Sequence, residues 1–300
     1  MLLNNSLGDQ SCLPILPASP YIDALTKLIL GAPSSGRCLR NSDGGCSKQG
    51  PYDAELRFWG NDWPPHGYTM VGMARLLNLR AAVENINRDL IPGSIIEMGV
   101  WRGGGMMLAA ALCKEAGFVR NIYLFDAFDT ILEYDPKIAS FLTTTADSVL
   151  RNFQEFDLSE NIFLKVGMFY DTVMTWNASE PIAILRVDGN FYDSYQDAMY
   201  YCYESVSIGG IVIFDDVMSH RPVLKFWNDF LADQKLNITL NVIDGHSAWF
   251  RKTEHVELDW QHYRAPRDAN KRAHIHHPSS ACPDHIMQRA QGSCHSSWKT

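Results

Sequence analysis

Three aspartates stand where apolar segments end. Asp188 follows Ile182–Val187, and Asp215 and Asp216 follow Ile211–Phe214. Short apolar segments of this kind read as buried strands. If the two strands are neighbours, their ends lie about 5 Å apart. Three carboxylates that close repel one another unless a cation holds them. All-oxygen donors select Mg²⁺ or Ca²⁺, and an incomplete protein shell leaves places for water and substrate. An ion so held lowers the pKa of a bound hydroxyl and orients it for attack. The plainer alternative is that Asp215 and Asp216 cap a following helix.

A fourth and a fifth acid end the segments 94–98 and 122–126. The first of these turns reads Glu97-Met98-Gly99-Val100-Trp101-Arg102-Gly103-Gly104. Glycines there let backbone approach a ligand closely. The dinucleotide fingerprint G-x-G-x-x-G is absent, because Trp101 stands where a second glycine would follow Gly99, and this weakens a nicotinamide or flavin reading. Glu-x-Gly at a strand end is the form found where S-adenosylmethionine sits, with the acid facing the positively charged methionyl part. Asp126 at the next strand end is then placed for ribose hydroxyls. A glycine-rich loop without any cofactor is the alternative.

These residues need a framework of strands and helices. Strands are expected at 94–98, 122–125, 162–166, 182–187, 211–214, 238–243 and 247–251. Helices are expected at 69–88, 106–116, 138–153, 192–205 and 220–233. Strands alternating with helices make a mostly parallel sheet covered on both faces. The last two strands are close enough for a hairpin, which would put one antiparallel strand in the sheet. Residues 1–66, with their Gly, Pro, Ser and Cys clusters, read as a flexible arm or irregular cap before the domain at 67–252. Phe58, Trp59, Trp63 and Tyr68 read as cover for the edge of the core, with a lid over an acceptor as the alternative. Residues 253–300 carry seven of the ten histidines, His274, His276 and His277 among them, and read as a mostly disordered tail.

The chain has 300 residues, 46% of them hydrophobic, enough for a sizeable core. Lys plus Arg is 26 and Asp plus Glu is 34, a net charge of −8, the wrong sign for tracking nucleic acid or an anionic membrane. No run of about 18 apolar residues suggests a membrane span. The N-terminus lacks the basic start of a signal peptide. The seven cysteines are odd in number and show no metal-binding spacing, which points to a reducing compartment, the cytoplasm. Asn-x-Ser/Thr triplets at Asn4, Asn177 and Asn237 then read as chance matches.

Taken together, the motifs resemble the macrocin-type sugar O-methyltransferases of antibiotic biosynthesis, which use S-adenosylmethionine and Mg²⁺. The resemblance runs from Thr69 to Lys252. It includes Thr69-Met70-Val71-Gly72, Ile91-Pro92-Gly93 and the Glu97 turn. It continues through Gly167-Met168-Phe169 to Leu185-Arg186-Val187-Asp188-Gly189 and Gly209-Gly210 through Asp216. It implies a class I methyltransferase (Rossmann-like) α/β fold: a seven-stranded mostly parallel sheet with one antiparallel strand and helices on both faces. Glu97, Gly99, Trp101, Gly103, Asp126, Gly167 and Phe169 would line the cofactor pocket. Asp188, Asp215 and Asp216 would hold the metal. The acceptor would be a small hydroxylated molecule, and self-association into a homo-oligomer is possible on the same ground.

One stretch departs from the family. It usually reads Asp-Gly-Asp-x-Tyr-x-Ser-Thr, whereas this chain has Asp188-Gly189-Asn190-Phe191-Tyr192-Asp193-Ser194-Tyr195. Asn190 cannot act as a carboxylate base, so Asp188 itself or His246, a side chain that titrates in the useful range, would take the proton. The departure also motivates a rival, a homologue that binds cofactor as a scaffold without catalysis. A second rival is methylation of a catechol-like phenol.

Overall fold

The computed structural model describes residues 13, 17–32, 36–40 and 46–263. The His-rich stretch around His274–His277 lies outside these residues. The first described elements are α1 (Pro20–Ile29), whose first turn is capped by Ser19, and a hairpin of β1 (Arg37–Arg40) and β2 (Cys46–Gly50). Then come α2 (Ala54–Trp59) and α3 (Met73–Arg88). The main alternation follows: β3 (Ser94–Met98), α4 (Gly104–Glu115), β4 (Ile122–Asp126), α5 (Pro136–Leu142), α6 (Ala146–Glu155) and β5 (Ile162–Val166). It continues with α7 (Phe169–Thr172), β6 (Ile182–Val187), α8 (Tyr192–Cys202), β7 (Val206–Phe214) and α9 (Arg221–Asp233). It closes with β8 (Asn241–Val242) and β9 (Ala248–Arg251).

The sheet has seven strands in the order β5-β4-β3-β6-β7-β9-β8. Strands β3 to β7 pair in parallel, and β9 runs antiparallel to both neighbours, giving the single reversed strand that was expected. The chain changes winding direction between β3 and β6. In open α/β sheets that switch leaves a crevice at the carboxyl ends of the strands.

Alternation along each strand builds two cores. Ile95, Ile184, Ile211 and Ile213 face one layer with α1, α3 and α4. Ile96, Leu185, Val212 and Phe214 face the other with α8 and α9. Both layers are fully buried, so the strands read as continuous apolar segments.

Several boundaries differ from expectation. The helix expected at 138–153 is broken into α5 and α6, because Thr145 leaves helical geometry to cap α6 in a reciprocal bond with Ser148. Strand β7 starts at Val206, ahead of the expected Ile211; Gly209, at φ 86, lets it continue through a register shift. Strand β8 is two residues long. Helix α1 lies within the segment read as an arm or irregular cap, and it buries Ile22, Leu25 and Ile29 in the first core. Of the early aromatics, Trp63 stacks on Phe141 at 4.5 Å and Tyr68 meets Phe156 edge-on at 5.5 Å. Cys38 is disulfide-bonded, a departure from the reducing pattern read from the cysteine count, whereas Cys113 and Cys202 are free and buried. Among the described residues no helix is long and apolar enough to cross a membrane.

Candidate functional site

An open cleft lies at the β3/β6 switch, lined by Glu97, Gly99, Trp101, Asp126, Phe169 and Asp188 among others. Gly99 makes the crossing possible. Its φ is 92, and a Cβ there would sit 2.0 Å from the Asp188 carbonyl oxygen. Only glycine lets the two strand ends approach so closely.

Glu97 is 2% exposed at the end of β3. Its Oε1 accepts from Arg186 Nη1 at 2.7 Å, and its Oε2 has no hydrogen-bond partner among the described residues. Burial lifts its carboxyl to about 7, outweighing the nearby guanidinium. Gly105 faces it, where a Cβ would come 3.1 Å from Oε1. Asp126 is fixed differently. Its Oδ2 accepts from the Val100 and Trp101 amides at 2.7 and 3.1 Å, and its Oδ1 from the Phe128 amide at 3.0 Å. The Trp101 indole donates to the Phe141 carbonyl at 3.2 Å and stacks on that ring.

Two arginines organise the acids. Arg186, on β6, donates to Glu97, to Asp188 at 3.1 Å and to Asp215. Arg75, on α3, donates to Asp215 at 2.7 Å and to Asp244 at 2.7 Å. Ser247 also donates to Asp215. Burial resists ionisation of Asp215, but Arg75 and Arg186 prevail and hold its carboxyl below the ordinary range. Asp188 goes the other way: burial and the adjacent Asp215 push it well up. Burial, with Asp215 beside it, lifts Asp216 to about 7. Four carboxyl groups, on Glu97, Asp188, Asp215 and Asp244, thus share the guanidiniums of Arg75 and Arg186, and Asp216 feels both electrostatically.

The structure brings Asp188, Asp215 and Asp216 into one electrostatic cluster. It does not use the last two as helix caps: the N-cap of α9 is His220, which makes no side-chain cap bond. Asp188 lines the cleft, and Asp216 interacts with it electrostatically. The oxygens of Asp215 are taken by Arg75, Arg186 and Ser247. Among the described residues no three His, Cys, Asp or Glu side chains are grouped to hold an ion. Gly103 and Gly167 shape the turns behind the cleft at φ 88 and 138. His246 lies in the β8–β9 turn, its Nδ1 2.9 Å from Ser219 Oγ and its amide donating to Asp244.

Sequence reasoning missed Arg75, Asp244 and Ser247 and gave Arg186 no role. An arginine inside an otherwise apolar strand is the one signal that could have marked Arg186, since a buried guanidinium requires acidic partners.

A family model described as Macrocin-O-methyltransferase (TylF) matches residues 21–252. The chain is 31% identical over 250 residues to demethyldecarbamoylnovobiocin O-methyltransferase of Streptomyces niveus, covering 79% of this chain and 94% of that protein. It is 30% identical over 220 residues to 8-demethyl-8-(2,3-dimethoxy-alpha-L-rhamnosyl)-tetracenomycin-C 4'-O-methyltransferase of Streptomyces olivaceus, covering 68% and 83%. The solved structure of the O-methyltransferase NovP matches with a TM-score of 0.69 at 31% identity, covering 78% of this chain and 98% of that one.

Proposed function

Because the chain belongs to the macrocin O-methyltransferase family, we propose that it moves a methyl group from S-adenosylmethionine to a hydroxyl of a sugar or similar polyol on a small molecule. The observation that carries the cofactor assignment is Glu97 Oε2, a buried carboxylate oxygen without a partner, on a side chain that lines the switch-point cleft. An orphaned buried acceptor is costly, and a cationic group entering the cleft removes that cost.

The chemistry then follows from the residues. Glu97 receives the positively charged methionyl part. Asp126, held by three backbone amides, presents its carboxylate to the ribose hydroxyls. Trp101 and Phe169 wall the cleft and exclude water. A bond forms between the acceptor oxygen and the methyl carbon as the sulfur–carbon bond breaks, and the sulfonium leaves as a neutral thioether. The acceptor oxygen loses its proton, which we assign to Asp188, one of the acids that line the cleft. His246 is not among the residues lining the cleft. Mg²⁺ in this reading would be held by Asp188 and Asp216, and Asp215 joins only on release from its arginines. When bound, the ion supplies acidification of the acceptor hydroxyl.

A cytoplasmic location and self-association are parts of the same proposal, and the disulfide at Cys38 weighs against the first. Asn190 favours a second reading, a cofactor-binding protein without catalysis. The aromatic cleft walls suit a catechol acceptor as well as a glycoside.

S-adenosylhomocysteine should raise the melting temperature, since a ligand bound only by the native state stabilises it. Mass spectrometry on paired panels of glycosides and catechols, with and without EDTA, should then find a methylated glycoside. Asp188→Ala should abolish that product. A stabilised protein that methylates neither panel identifies the second reading. An EDTA-insensitive reaction removes Mg²⁺ from it.

A further inference from the structure

Tyr134 and Asn190 line the same cleft as Asp188. Asn190 Nδ2 donates to the Tyr134 hydroxyl oxygen at 3.0 Å. Phe191, the next residue, packs its ring on Tyr134 with centroids 5.2 Å apart. The phenol is therefore held at both ends by consecutive residues of the β6–α8 turn. That turn is itself fixed. Asn190 has φ 60, a left-handed conformation that asparagine tolerates, and a Cβ at Gly189 would lie 2.5 Å from Ser194 Cβ. A phenol oxygen that already accepts from an amide keeps its own hydrogen for another acceptor.

Resting on the methyl-transfer reading, we propose that Tyr134 selects the acceptor and Asn190 positions it. The Tyr134 O–H donates to a second oxygen of the acceptor, beside the hydroxyl that is methylated. The preferred substrate class is then a vicinal diol or hydroxy-ether, and a lone alcohol lacks the second contact. Asn190 serves this arrangement because it can donate. An aspartate there could only accept, and it would draw the Tyr134 hydrogen onto itself and away from the cleft.

The test measures steady-state kinetics of wild type, Tyr134→Phe, Asn190→Asp and the double variant. The probes are an aryl α-L-rhamnopyranoside, trans-cyclohexane-1,2-diol and cyclohexanol. Tyr134→Phe should raise KM for the rhamnoside about tenfold, as loss of one hydrogen bond predicts, with kcat within about twofold. It should also erase the preference for the diol over cyclohexanol. S-adenosylhomocysteine affinity and melting temperature should stay at the wild-type values, which a general loss of structure would not allow. Asn190→Asp should raise KM similarly without raising kcat, and the double variant should be no worse than Tyr134→Phe, as expected of one shared interaction. An unchanged KM in Tyr134→Phe overturns the proposal. So does a higher kcat in Asn190→Asp, which would make position 190 the site of a missing base. Wild type inactive on all three probes overturns the methyl-transfer reading itself, and the proposal with it.

Discussion

Glu97 combines three properties in one side chain: complete burial, one arginine partner and one unpartnered oxygen. Its carboxyl ionises near 4.5 in the unfolded chain and at about 7 in the fold. Between those values the folded form keeps a proton that the unfolded form has lost, so its contribution to stability falls as pH rises through that window. A cation at Oε2 favours the ionised form instead. Binding of S-adenosylhomocysteine should therefore tighten as pH climbs through about 7, with proton release visible by calorimetry in buffers of different ionisation enthalpy. Asp216 titrates in the same range, so Glu97→Gln isolates the effect. That variant should bind about tenfold more weakly, with a flatter pH profile. A wild-type affinity that ignores pH would remove Glu97 from the cofactor's contacts. Glu97, Asp126 and Asp188 were legible in the sequence because strand ends in an α/β pattern are where such acids matter. Arg75 was not: its partners Asp215 and Asp244 lie 140 and 169 residues away. Tyr134 was equally silent, since a loop residue has no periodicity to betray it.

Among elements, the crossing of β3 and β6 is the tightest constraint. Gly99→Ala would drive a Cβ into the Asp188 carbonyl, and the strand ends would have to part. Gly117, just past α4, also has positive φ, at 72, but a Cβ there meets nothing within 4 Å. Urea unfolding should show Gly117→Ala costing about 1–2 kcal/mol, the conformational term alone. Gly99→Ala should cost at least about twice that and abolish cofactor binding. Equal costs would mean that the crossing can relax. The central strands were readable because burial on both faces leaves uninterrupted apolar segments. The break between α5 and α6 was not, because a threonine cap competes with helix continuation only through a local bond with Ser148. The strand expected at 238–243 shrinks to β8, Asn241–Val242, for another reason. Two residues carry no alternation, and its pairing with β9 defines it.

At the scale of the molecule, α1 packs into the core of the sheet domain. Leu25 is buried at 2% exposure in the core shared by α1, α3 and α4. Leu25→Ala should lower stability by about 2–5 kcal/mol in urea unfolding, where a loose arm would register almost nothing. Glycine, proline and serine clusters around this helix hid it, because composition averaged over 66 residues conceals ten amphipathic ones. The stretch after α2 reaches the turn at 99–103: Arg102 donates to the carbonyls of Pro65 and Gly67, and Trp63 shares Phe141 with Trp101. Across the cleft, a single guanidinium answers to acids at both ends, with Arg186 divided between Glu97 on one side and Asp188 and Asp215 on the other. A positive group arriving beside Glu97 loosens that claim on Arg186 and strengthens its hold on the other two. On the proposed function, donor and acceptor occupancy would thereby be thermodynamically linked, and reciprocity would make each partner change the other's affinity by the same factor.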